Sequence, residues 1–92
     1  MAWDVRLRKK VAKQIKGLPQ KVQEQIVLLT QEIKLLGPVR GNWKNYSKLG
    51  GEKHHCHVKD GHPSYVVCWE VVDKKIQIIE VYYAGTREKA PY

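Results

Sequence analysis

The apolar residues of this chain change period halfway along, and that change limits the folds open to it. Val22, Ile26, Leu29, Ile33 and Leu36 step by four, three, four and three residues, the spacing of one buried face of an α-helix. Pro19 suits the first turn of that helix, where its missing amide hydrogen would have no intrahelical partner anyway, and Gly37-Pro38 stops it. Ahead of it, Val11, Ile15 and Leu18 recur at helical spacing among Lys9, Lys10, Lys13 and Lys16, with Gly17 to end the segment; this predicts a short basic helix. Beyond Gly41, Asn42 and Asn45 the helical repeat disappears. Strands are expected around Tyr46–Leu49, at Lys53–Lys59, at Tyr65–Val72 and at Ile76–Tyr83, separated by Gly50-Gly51, Asp60-Gly61-His62-Pro63 and Asp73-Lys74-Lys75. Tyr65–Val72 is apolar nearly throughout and should be central. Trp3, Val5 and Leu7 alternate with Asp4 and Arg6 as a short first strand, and Ala84–Tyr92 reads as a polar tail. The order is β-α-α-β-β-β-β over residues 1–92 as one domain. The expected class is α+β: a twisted, mainly antiparallel sheet packed against an N-terminal helical hairpin.

Charge narrows the partners. Seventeen Lys and Arg stand against nine Asp and Glu among 92 residues, a net +8. A field of that sign on so small a body favours polyanions: nucleic acid, an acidic protein or an anionic membrane surface. No apolar run approaches the roughly 20 residues that span a bilayer, and M-A-W-D-V-R-L-R-K-K lacks the apolar stretch of a signal peptide. The cytoplasm is the expected compartment, where Cys56 and Cys68 would remain reduced thiols.

The densest chemistry lies in K-H-H-C-H-V-K, Lys53–Lys59. On a strand, side chains alternate between faces, so His55 and His57 share one face with Lys53 and Lys59, while His54, Cys56 and Val58 share the other. Cys56 and Val58 look core-facing, which sends His55 and His57 away from the helices. The plain reading is a half-exposed strand that tolerates histidine. A zinc site needs a closed set of converging donors, and the alternation separates Cys56 from His55 and His57; no metal is expected. A catalytic reading uses the two imidazoles, which titrate near neutral pH, together with Arg87 and Tyr92 if these converge on the same face.

The element order, the helix start L-P-Q-K-V-Q, the hairpin of Tyr65–Val72 and Ile76–Tyr83 and the ending Y-Y-A-G-T-R-E-K-A-P-Y together resemble the RelE/ParE toxin superfamily of bacterial toxin–antitoxin systems, over essentially the whole chain. That resemblance implies a RelE-like fold and a toxin that enters the ribosomal A site and cuts messenger RNA without metal or cofactor. The 2′-hydroxyl would attack the neighbouring phosphate and leave a 2′,3′-cyclic phosphate and a 5′-hydroxyl. By position, His55 and His57 stand where the RelE branch alternates two lysines; Arg87 corresponds to its strand-end arginine and Tyr92 to its late tyrosine. One departure is plain: the RelE branch has an arginine directly after the central-strand tyrosine, and this chain reads Tyr65-Val66. Its role would pass to Arg87 together with Lys53 or Lys48, or the chain would belong with the ParE branch, which poisons DNA gyrase.

Such cleavage needs a base near the hydroxyl, positive charge around the phosphate and an acid for the leaving oxygen. His57 is the leading base, with His55 as phosphate contact or alternate base, Arg87 as the charge stabiliser and Tyr92 as stacking platform or acid. Lys9, Lys10, Lys13, Lys48, Lys53 and Lys59 are the expected RNA contacts, Lys9, Lys10 and Lys13 against ribosomal phosphates. Trp43 and Tyr46 suit either base stacking or packing. The implied partners are the ribosome with its messenger RNA and a cognate antitoxin protein, whose acidic segment would seat in a groove between helices and sheet.

Overall fold

A computed structural model describes residues 2–92. Its elements are β1 (Asp4–Leu7), α1 (Lys9–Lys16), α2 (Gln20–Leu36), β2 (Ser47–Gly50), β3 (Lys53–Lys59), β4 (Tyr65–Asp73), β5 (Ile78–Thr86) and a closing 3₁₀ turn at Arg87–Lys89. The fold is α+β, and the strands form one mixed sheet in the order β1-β5-β4-β3-β2. Only β1 and β5 run parallel; the other three pairings are antiparallel. Tyr65–Val72 is indeed the middle strand, and Val66, Val67, Cys68 and Trp69 are all fully buried, as expected of a strand covered on both faces.

The two helices cover one face of the sheet. Val22, Ile26, Leu29 and Ile33 of α2 and Val11 of α1 are buried there against Cys56, Val58, Val67, Trp69, Ile79 and Val81. The stripe stops one residue short of expectation: Leu36 is 68% exposed. Gly37 follows at φ +97°, turning the chain off the helix before Leu36 can reach the sheet. Trp43 packs at the margin of this core, its indole N–H donating to Glu32 Oε1 at 3.0 Å. Tyr46 lies against His54 and Trp69. Both rings are therefore packing elements.

β5 begins and ends two to three residues later than expected. The Asp73 carboxylate accepts from the Lys75 and Ile76 amides and Gln77 takes φ +54°, so Ile76 is spent in the turn. At the other end Ala84, Gly85 and Thr86, expected in the tail, continue the ladder opposite Val67, Val66 and Tyr65. The Tyr83 ring folds over Gly85, where an added Cβ would lie 2.8 Å from the phenol oxygen. Glycine is thus required for packing inside a strand, which is why it imitates a loop residue in sequence.

The open face, opposite the helices, holds a smaller cluster of Val66, Cys68 and Tyr83 with Tyr82 and Ala90 against it. The ladder between β4 and β5 slips after Cys68, so that Cys68 pairs with Tyr83 and Trp69 with Val81. Tyr82 is the extra residue of this bulge, and both tyrosines turn to the open face.

Candidate functional site

Pleat parity holds along β3 as far as the bulge at Val58. His54, Cys56 and Val58 face the helices, and His55 and His57 face away. The three imidazoles meet different surroundings. His54 stacks on Trp69 with centroids 5.9 Å apart and planes 6° from parallel, and shares a 2.7 Å hydrogen bond with the Tyr46 hydroxyl. Burial depresses its basicity, and its Nε2 is buried without a partner among the described residues. It is a core residue.

His55 and His57 line the open face with ring centroids 6.2 Å apart. They are less open than expected, each only 8% exposed: the Tyr92 ring lies 4.5 Å from that of His55, and Asn45 and Asp60 close on His57. Burial holds His55 below the ordinary imidazole value, outweighing the opposing pull of the Ser47 backbone; the Ser47 hydroxyl lies 3.1 Å from Nδ1. The neutral ring therefore prevails at physiological pH.

His57 has a carboxylate partner that the sequence did not reveal. Asp60 Oδ1 accepts from His57 Nδ1 at 2.7 Å. Asp60 also pairs with Lys44, and the hydrogen bonds from Lys44 and His57 hold its carboxyl below the usual range. An ionised carboxylate cannot donate, so Nδ1 carries the proton in the neutral ring and Nε2 keeps its lone pair. This is the base-and-orienter arrangement of acid–base catalysts. Asn45 Nδ2 stands 3.3 Å from the same nitrogen. Asp60 reads in sequence as the start of an Asp-Gly turn; it reaches His57 because the strand bulges at Val58, which no local sequence signal marks.

Arg87 follows β5 directly, its amide donating to Ser64 O. It lines a shallow depression of about 380 Å³ with Glu88 and Tyr92, and it forms no ion pair among the described residues. Burial raises the Tyr92 phenol's pKa, with Arg87 pulling the other way. Tyr92 thus stands between His55, against which its ring packs, and Arg87, with which it lines the depression.

The expected RNA-contact lysines are all exposed but do not share a face. Lys53 ends β3 on the face of the imidazoles, but the bulge at Val58 sets Lys59 opposite Tyr65, which packs on the helix-side core, so Lys59 departs from the face expected for it; Lys9, Lys10 and Lys13 project from α1. Lys48 departs from the role considered for it beside the phosphate: its register partner is His54, on the helix-covered face, whereas Ser47 pairs with His55. Val66 is fully buried in the open-face cluster, so no central-strand cation stands beneath the imidazoles. His62 is exposed in the turn after β3, and no three His, Cys, Asp or Glu side chains among the described residues group as metal ligands.

This architecture has known counterparts. The archaeal RelE of the RelE–RelB complex from Pyrococcus horikoshii OT3 superposes with a TM-score of 0.65 at 16% identity, covering 98% of this chain and all of that one. A double arginine-to-alanine mutant of the E. coli toxin RelE, in the free state, gives 0.73 at 17% identity, covering 96% and 86%. The isolated E. coli RelE toxin gives 0.70 at 19%, covering 98% and 89%. No protein-family model matches the sequence, and no curated protein matches it. The chain has the RelE fold, with an imidazole pair on its open face.

Proposed function

We propose that this protein is the toxin of a toxin–antitoxin pair and acts as a ribosome-dependent, metal-independent endoribonuclease. The observation that carries this reading is the pairing of His55 with carboxylate-oriented His57 on the open face, with the Tyr92 ring against His55; Arg87 lines a depression with that same tyrosine. In this mechanism His57 Nε2 takes the proton of the 2′-hydroxyl while Asp60 stabilises the imidazolium that forms. The 2′-oxygen bonds to phosphorus, and the phosphorus–5′-oxygen bond breaks. The leaving oxygen takes a proton from Tyr92, whose phenol stays protonated at neutral pH, and Arg87 meets the charge growing on the phosphorane. His55 contacts the phosphate or substitutes as base. General acid and base groups contribute about 10²–10⁴-fold each, and the ribosome supplies alignment by holding the codon. A cognate antitoxin is the expected silencing partner, consistent with a fold shared with a chain solved as a RelE–RelB complex.

Buried Val66 favours one second reading, a ParE-type inhibitor of DNA gyrase that binds without cutting RNA. Purified protein added to ribosomes programmed with a defined messenger separates the two. The nuclease reading expects fragments ending in 2′,3′-cyclic phosphate, abolished in His55→Ala/His57→Ala and undiminished when the protein is stripped of transition metals by chelation and dialysis before it is added. An intact messenger together with inhibited gyrase would establish the alternative.

A further inference from the structure

A groove lies away from the imidazole pair, beside Tyr82 and Tyr83. β1 pairs with β5 only as far as Val81, and from Tyr82 onward α1 takes the place of a neighbouring strand. A groove of about 690 Å³ opens there, with Arg8, Lys10 and Lys89 as its cations, Tyr82 and Tyr83 among its walls and Gln14 at its base. That volume lies within the range of small-ligand pockets, and no acidic side chain among the described residues lines it.

We infer that this groove is a second subsite for single-stranded RNA, seating a nucleotide next to those at the scissile linkage. The inference takes its substrate class from the cleavage reading above. Tyr82 joins the two regions: the Arg8 guanidinium lies 5.6 Å and the Lys53 ammonium 5.8 Å from its ring centroid. Lys53 precedes His55 by two residues on the same face of β3, about 6.7 Å along the strand. A π-face with Lys53, which forms no ion pair among the described residues, at its side suits a base whose phosphate lies toward that ammonium. The bulge that turns Tyr82 and Tyr83 to one side creates this platform. Glu80 and Glu70 hold Arg8 at 2.6 and 3.4 Å. These carboxylates repel phosphate from that end and direct the strand toward Lys10 and Lys89, which form no ion pair among the described residues. An acidic peptide adding a strand to the free edge of β5 fits less well, because Gln14 Oε1 already accepts from the Ala84 amide that such a strand would need.

The test is equilibrium binding of a fluorescein-labelled hexamer of 2′-O-methyluridine, which lacks the attacking hydroxyl and so reports binding without cleavage. Lys10→Ala/Lys89→Ala should weaken binding at least tenfold. It should also make the slope of log affinity against log salt shallower by about 1.4, two phosphate contacts at about 0.7 each. Tyr82→Leu, which keeps the apolar cover, should weaken binding about tenfold through lost stacking. Unchanged affinity and slope in both variants would overturn the subsite. So would a Glu-rich peptide that binds through Lys10 and Lys89 while Tyr82→Leu binds RNA normally, which would assign the groove to a protein partner. Messenger cleavage by the wild type with RNA binding untouched in the variants would remove the groove and leave the nuclease; binding lost in the variants without any cleavage would do the reverse.

Discussion

Two imidazoles one residue apart on a strand would behave alike if both were solvated, and here they are not. His55 is kept neutral by burial under Tyr92, whereas His57 is oriented by an ionised carboxylate. Asp60→Asn preserves size and hydrogen-bonding capacity but can hold the wrong tautomer. We expect kcat for RNA cleavage to fall about 100-fold with KM nearly unchanged, measured by single-turnover and steady-state cleavage on programmed ribosomes; an equal change in KM alone would mean that Asp60 only helps to bind RNA. The depressed histidines also make a stability prediction. His54 and His55 titrate lower in the folded chain than the ordinary value of 6.5, so the unfolded state binds more protons as pH falls below that value. Stability should therefore be undiminished above about pH 7 and decline from about pH 6.5 downward. Urea unfolding at about pH 7.5 and about pH 5.5 checks this, and the decline should shrink in His54→Phe.

At the scale of elements, periodicity made most of the fold legible and side-chain specifics hid the rest. Val22, Ile26, Leu29 and Ile33 announced both helix α2 and the face it buries. Leu36 continued the pattern but not the geometry, since periodicity takes no account of where a helix stops. The extension of β5 through Ala84-Gly85-Thr86 was hidden because the demand for glycine at 85 comes from the Tyr83 ring, a tertiary cause without local signature. The parity that sends His55 and His57 to one face was readable from the pleat. The Asp60 contact was not, because it depends on the bulge at Val58. Two substitutions test the element-level account by equilibrium urea unfolding. Leu29→Ala empties a fully buried site and should cost about 2–5 kcal/mol. Gly85→Ala should be destabilising as well, because the methyl would displace the Tyr83 phenol from its 2.6 Å bond to Thr86 O; unaltered stability would show that the ring has room to move.

For the molecule as a whole, the two faces of the sheet divide the work. The helix-covered face supplies the core, and the open face gathers imidazoles, tyrosines and cations on a body of net charge +8. Such a charge attracts polyanions and makes association salt-dependent, but it does not distinguish a nuclease from a DNA-gyrase inhibitor; only the chemistry of the open face does. The decisive measurement is the mapping of messenger RNA 5′ ends in cells after induction of the wild type and of His55→Ala/His57→Ala. The account predicts new breaks in phase with codons, each with a 5′-hydroxyl, that vanish in the double variant. Intact transcripts accompanied by accumulating double-strand DNA breaks would contradict it.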